Sequence, residues 1–381
     1  MPRGPTSNED ERENDMILYA CLTAWFFILL FLGLRPDSIP AAGSWPKLPE
    51  DRRARRDHVI VTALAMASFL ALWFLTAFRS SAIGNDTKNY LAMFTRLFSK
   101  GITRYYRFEI GYQLLNIAIY KFTHSEHAFL IIVAVIMYGG VGFYIFKYSK
   151  NPAVSLCLFF ACFFSVFTSL LRQGIAMVIA LYGYQLLKNG KRIPAALVFL
   201  LATCFHTSAF ICFLLFFDLK LLQKPWLVLG LTVLCALVSR LGFFRAAVNL
   251  IAPKYVHYFD TKYASSGWMA ITCYLLIYAV LYYLVVRSIR EDHRPDRTVA
   301  ANFAFLLLLT SFGYAVNLFD RVSEYFLLIA VTEFPNMLYR GSVKRFRLWL
   351  LGVCAVFLAL FVAVLLFRPD WNHLYPYELW H

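Results

Sequence analysis

Charge is what this sequence has least of. Charged side chains make up 15% of the residues and hydrophobic ones 60%, against about 25% charged in an average soluble domain. A water-soluble fold of this length needs more polar surface, so the soluble class is excluded. Acid is scarcer than base, with 22 Asp and Glu against 37 Lys and Arg and a formal net charge of +15. The basic residues fall in short clusters between apolar runs and form no continuous stripe. That excludes nucleic acid as a partner and matches the positive-inside signature of a protein embedded in a lipid bilayer. The eight cysteines (Cys21, Cys157, Cys162, Cys204, Cys212, Cys235, Cys273, Cys354) all lie in apolar runs and include no C-x-x-C pair. They read as inert packing groups. No set of His, Asp and Glu has metal-ligand spacing, so neither metal nor cofactor is expected. Gly-rich phosphate loops, internal repeats and low-complexity segments are absent too. No cleavable leader is evident: residues 1–15 are polar and acid-rich, and the apolar run behind them has no small-residue cleavage site.

What is present is a succession of apolar runs, each near the roughly 20 residues a helix needs to cross a bilayer. They cover 16–34, 59–78, 127–147, 152–171, 225–243, 268–287, 298–317, 323–340 and 348–367. Two stretches are less simple. Residues 174–187 approach the minimum for a helix packed inside a bundle, and 193–217 carries His206 and Thr207 at its middle. The basic links around Arg52–Arg56, Lys147–Lys150, Lys188–Arg192, Arg287–Arg297 and Arg340–Arg347 share the cytoplasmic side only if 193–217 passes twice, turning near His206. Each half is then about 12 residues, roughly 18 Å of helix, too short to cross unaided. A broken or re-entrant hairpin buried in protein is therefore expected. The expected fold is an all-α polytopic bundle of about twelve passes with both termini outside. Residues 1–15 and 368–381 are its outer tails and 16–367 a single membrane domain. The outer link 79–125 carries short interfacial helices. Tyr90, Leu91, Phe94, Leu97 and Phe98 share one helical face, and Ile110–Phe122 is too brief to span.

Once the spans are oriented, polar groups converge on the outer side: Asp86, Glu109, Arg172, Gln173, His206, Asp320 and Arg321. An ionised group inside a bilayer costs several kcal/mol and is usually kept only where it is paired or used. Each has an ordinary reading as well. Asp86 can cap the helix that follows it, and Glu109 can complement the dipole of the next one. Arg172 can snorkel. His206 can be a satisfied buried ring, and Arg321 can pair with Glu324. The outer link 242–267, with Lys254, Tyr255, His257, Tyr258 and Tyr263, offers aromatic faces and donors, or is simply an interfacial tyrosine belt.

These residues also carry a resemblance. Gly84-Asn85-Asp86 with Tyr90, Glu109-Ile110-Gly111-Tyr112, Leu171-Arg172-Gln173, Phe205-His206-Thr207-Ser208-Ala209, Arg321 with Tyr325-Phe326, and the tail Tyr375-Pro376-Tyr377 stand in an order that resembles the EpsG family of Wzy-like polysaccharide polymerases. Family members more often show Gly-Thr-Asp and Glu-Pro-Gly where this chain has Gly-Asn-Asp and Glu-Ile-Gly; both departures spare the charged residue. The resemblance implies a GT-C-like membrane glycosyltransferase in a bacterial inner membrane with its active face outside. It would transfer a growing glycan from a polyprenyl pyrophosphate to a lipid-linked repeat unit, in exopolysaccharide, capsule or O-antigen synthesis. Its partners would be the lipid-linked oligosaccharide, the bilayer, and a chain-length regulator and flippase of the same pathway. The chemistry needs a carboxylate to take a hydroxyl proton and fixed positive charge for the departing pyrophosphate. Asp86 fits as base, with Glu109 second. Arg172 and Arg321 form the clamp, and His206 donates to a phosphate oxygen or orients the carboxylate. Gln173, Tyr90, Tyr112, Asp320, Tyr325, Lys254, Tyr255 and Tyr258 are the expected substrate contacts. The competing readings are a lipid-linked sugar flippase, which commonly shows repeats and midplane sites, and another membrane transferase such as an O-antigen ligase or an acyltransferase.

Overall fold

A computed structural model describes residues 5–35, 52–100, 108–251, 253–260, 268–291, 296–316, 320–340, 346–368 and 373–380. They form helices α1 (Pro5–Gly33), α2 (Arg52–Ala77), α3 (Thr87–Lys100), α4 (Ile110–Tyr120), α5 (Glu126–Tyr148), α6 (Pro152–Ser169), α7 (Leu171–Lys188), α8 (Arg192–Phe205), α9 (Pro225–Ser239), α10 (Gly242–Ile251), α11 (Trp268–Glu291), α12 (Arg297–Thr310), α13 (Asp320–Arg340) and α14 (Phe346–Phe367). Shorter 3-10 helices cover Thr207–Phe216, Lys220–Gln223, Pro253–Asp260 and Ser311–Tyr314. Among the described residues there is no strand, only an isolated antiparallel bridge between Arg79 and Leu379.

The chain is a multi-pass membrane protein. Among the described residues, α1 (over Met16–Gly33), α2, α5, α6, α11 and α14 are six helices long and apolar enough to cross a bilayer, or seven spans if α9 and α10 count as one bent span. Large apolar side chains on them stay exposed, Leu70 on α2 and Leu276 on α11 among them, as contact with lipid requires. The sequence leads to about twelve passes. The difference lies in α8 and the 3-10 helix Thr207–Phe216, with 14 and 10 residues, in α9 and α12, with 15 and 14 residues, and in α7 and α13, whose ends and middles carry polar groups.

The described chain clusters into two compact units, Met1–Ile179 with Leu201–Thr207 and Arg345–His381, and Ala180–Leu200 with Ser208–Lys344. In the first, α6 is the central helix, starting with Pro152 in its first turn and capped by Asn151, whose Oδ1 accepts from Val154 N at 3.1 Å. The Asn151 amide donates to the Gly33 carbonyl at 2.6 Å, tying the end of α1 to it. Aromatic side chains fill the contacts: Phe160 stacks on Phe26 at 4.2 Å and meets Phe361 at 4.8 Å, while Phe159 meets Tyr138 at 5.9 Å. α5 and the first half of α7 approach closely because both offer glycine. A Cβ on Gly140 would stand 2.3 Å from Val178, and one on Gly174 2.7 Å from Met137, the small-residue device of membrane helix pairs.

In the second unit α12 lies between α11 and α13, and buried polar groups find backbone partners. The Asn302 amide donates to the Phe326 carbonyl at 3.0 Å, and the Ser288 hydroxyl to that of Met337 at 2.5 Å. The expected turn back is present, but not its burial in protein, since Ile193, Leu197, Leu201 and Phe210 are exposed: Arg192, which opens α8, donates to the carbonyl of Phe216 at 3.1 Å and lies over its ring. The chain therefore doubles back between them. α8 is about 21 Å long, short of the roughly 30 Å hydrocarbon core.

The second unit also buries an ion pair, Lys188 Nζ to Glu333 Oε1 at 2.5 Å, with the Glu333 side chain 3% exposed. Removing one partner of such a pair strands a charge and costs about 3–5 kcal/mol, whereas replacing both by apolar side chains is often neutral. Lys188→Met is expected to lower stability by about that amount in lipid or detergent, and Lys188→Met with Glu333→Leu to restore most of it. A double-variant loss equal to the sum of the losses in Lys188→Met and Glu333→Leu alone would show that the two charges are not coupled.

Candidate active site

Two glycines seat the motifs on each other within the first unit. After α2 the chain turns through residues 78–86, and Gly84 takes φ +87, a conformation that costs other residues energy. A Cβ there would stand 2.6 Å from the Thr168 carbonyl oxygen and 3.1 Å from Ser169 Cα. The Gly84-Asn85-Asp86 turn therefore lies on the C-terminal end of α6, a few residues before Arg172. Gly111 does the same for the next motif: a Cβ would meet the Cys204 carbonyl oxygen at 2.7 Å, so the first turn of α4 rests on the end of α8, beside His206. Gly84→Ala and Gly111→Ala are each expected to lower activity and membrane-protein yield together, because backbone and not a mobile side chain must move. Wild-type yield and activity of either variant would refute this account.

Glu109 is the hub. Its Oε2 accepts from Arg172 Nη1 at 2.5 Å, and its Oε1 accepts from the Thr207 backbone N–H and hydroxyl, both at 3.1 Å. His206 Nδ1 lies 3.4 Å from the same Oε1 without the geometry of a hydrogen bond. Glu109 stands at the N-cap position of α4 but makes no side-chain cap bond; its oxygens are committed to α7 and to the α8 end. Burial opposes its ionisation, but the His206 ring, the Arg172 charge and the Thr207 N–H together outweigh that and hold the carboxyl well below the usual carboxylate range.

Arg172 is framed by aromatics. Its guanidinium lies 4.4 Å from the centroid of Phe108 and 5.9 Å from that of Tyr90, within cation–π range. Tyr90 and Phe108 contact Tyr112, at 5.7 and 6.1 Å. Arg172 Nε is buried without a hydrogen-bond partner among the described residues. Gln173 beside it is 5% exposed. Asp86 is half-buried just before α3, and its carbonyl accepts from Tyr90 N at 3.0 Å. Its carboxylate makes no hydrogen bond or ion pair among the described residues, so the capping bond that its position suggests is not made. The α3 face is as expected for Tyr90, Leu91 and Phe94, all buried; the Leu97 and Phe98 side chains lie outside the described ones.

The first unit thus brings together Tyr90, Glu109, Tyr112, Arg172, Gln173 and His206, with Asp86 on the adjoining turn. In the second unit Tyr325 is buried and its hydroxyl lies 3.1 Å from that of Ser208; Arg321, half-buried, occupies the first turn of the same helix. The side chains of Asp320, Lys254, Tyr255 and Tyr258 lie outside the described ones, as does all of Tyr263.

Two participants escape the sequence reading. Phe108 has no charge to mark it. Arg79 is treated there only as the start of the outer link, yet it is 0% exposed. Its Nη1 donates to the Thr76 carbonyl, and its Nε and Nη2 have no hydrogen-bond partner among the described residues. Burial lowers its pKa to about 10, against the opposing influence of the tyrosines Tyr138, Tyr377, Tyr112 and Tyr90, so it remains charged. The clue was available: a lone arginine at the end of an apolar run, five residues before Gly84-Asn85-Asp86.

Neither curated proteins nor solved structures yield a match to the chain. A family model described as the EpsG family matches residues 62–379, a stretch that contains Asp86, Glu109, Arg172, His206 and Arg321, and the chain therefore belongs to the EpsG family.

Proposed function

We propose that this protein is an exopolysaccharide-type polymerase that transfers a glycan from a polyprenyl-pyrophosphate donor to a lipid-linked acceptor at the outer membrane face. The observation that carries the reading is the arrangement around Arg172, a cation held in aromatic rings and anchored by Glu109, next to a turn that presents an uncommitted carboxylate. The acceptor hydroxyl forms a bond to the donor's anomeric carbon. The bond from that carbon to the phosphate oxygen breaks, and its electron pair leaves with the pyrophosphate. Asp86 takes the hydroxyl proton. Arg172 meets the charge that grows on the leaving group, through the guanidinium N–H groups that Glu109 does not occupy. Glu109 serves to aim Arg172: a carboxyl so strongly stabilised in its ionised form is a poor proton acceptor. Arg321 is assigned the second positive charge on the sequence pattern alone.

Deletion of the gene decides the class. Single repeat units accumulating on lipid at the outer face support polymerisation. Full-length polymer left on lipid points to a ligase, and failure to export the unit to a flippase. Purified protein in lipid should extend a lipid-linked repeat unit with no nucleotide sugar present, and a strict nucleotide requirement would overturn the proposed donor. The finer topology of about twelve passes, with the active face outside, is tested by reporter fusions after Lys191 and within the 287–297 link. Both should read cytoplasmic; opposite sides would reject it.

A further inference from the structure

The segment past the last helix is short and irregular, yet nearly every group in it is tied to the wall of the first unit. His373 accepts from Gly84 N at 3.0 Å, and Glu378 from Ser80 N at 2.8 Å, both through their carbonyls. Trp380 N donates to the Phe78 carbonyl at 2.8 Å. The Tyr377 hydroxyl donates to the carbonyl of Leu75. The Leu374 carbonyl accepts from the Tyr19 hydroxyl at 2.6 Å, and Leu374 itself is 1% exposed. The Trp380 ring lies parallel to His127, 5.1 Å away and 4° from coplanar, on a ring that also meets Phe78 at 5.4 Å.

Most of these ties end on residues 75–84, the stretch that leads to Asp86. Without the tail, the N–H groups of Ser80 and Gly84 lose their acceptors, and the Gly84 backbone is buried, where a lost partner is costly. The backbone bridge from Leu379 to Arg79 goes as well, which loosens the backbone at a buried arginine whose Nε and Nη2 have no hydrogen-bond partner among the described residues. A lid must break its contacts at every turnover, whereas this many directed bonds to one compact unit describe a permanent fixture.

We propose that residues 373–380 are a fixed strap that holds the 78–86 turn against the end of α6, and that His373, Tyr377 and Trp380 are thereby positioning residues for the reaction at Asp86 and Arg172. The inference rests on the polymerase reading for its activity readout and on labelling for a readout that does not. Misplacing reacting groups by about 1 Å can cost on the order of 100-fold in rate. A chain ending at Arg368 is therefore expected to lose about 100-fold in turnover while its KM for the lipid-linked acceptor stays unchanged.

The test combines three measurements on the full-length protein in lipid. Ile83→Cys, buried in the intact turn, should react slowly with a charged maleimide and much faster when residues 369–381 are removed. Trp380→Phe, which keeps a stacked ring, should retain turnover that Trp380→Ala loses. A disulfide between Ser80→Cys and Glu378→Cys, whose backbones are joined by the 2.8 Å hydrogen bond from Ser80 N to the Glu378 carbonyl, should leave polymer formation intact. Full turnover by the truncated chain overturns the proposal. So does a cross-linked protein that is inactive until reduced, which would make the tail a lid. If wild type forms no polymer from lipid-linked units, the polymerase reading fails while the labelling rates still decide whether the strap exists.

Discussion

Arg172→Ala is expected to lower polymer formation by at least about 100-fold to 1,000-fold, the usual cost of losing one well-placed donor to a developing anion. The loss should fall on turnover more than on acceptor KM, since the leaving pyrophosphate gains charge only as the glycosidic bond breaks. Arg172→Lys should recover only part of it. An ammonium can neutralise charge, but it cannot lie flat against Phe108 while also bonding Glu109 and offering a phosphate-directed edge. Glu109→Gln separates aiming from charge. It keeps the shape and the acceptor for the Thr207 N–H but weakens the tie to Arg172, so it should lose activity with little change in yield. Wild-type polymer from Arg172→Ala would remove the leaving-group role from this residue.

Asp86→Asn is expected to abolish polymer while the protein reaches the membrane at normal levels. The substitution is nearly isosteric and takes away only the proton acceptor. A residue whose role was to cap α3 would tolerate it, since asparagine caps as well as aspartate; the absence of a cap bond from the Asp86 carboxylate already argues for the base. Glycan ladders from a deletion strain complemented with each variant give the comparison. If Asp86→Asn sustains wild-type ladders and Glu109→Gln does not, Asp86 is not the base and the assignment moves to Glu109, whose lowered pKa then belongs to the resting state alone. If both sustain them, no carboxylate of this site is the base.

Composition determined the class, because so little charge cannot cover a soluble surface and apolar runs of this length have no other home than a bilayer. Patterns of spacing determined the local elements next: the buried face of α3, the brevity of α4 and the turn at His206 all follow from which residues recur at helical intervals and where polar ones interrupt them. The motif residues were legible singly for the same reason, as charges that an apolar chain would not carry idly. What they do to one another was not legible. Glu109 looks like a helix-end carboxylate until tertiary contact gives it Arg172 and Thr207, partners far away in the chain, and those contacts are what support the proposal that it anchors Arg172. Arg79 and the tail show the same limit more strongly. An arginine at a span end reads as a boundary marker, and a polar tail as a loose end. Only long-range hydrogen bonds, which no periodicity encodes, bury the one beneath the other.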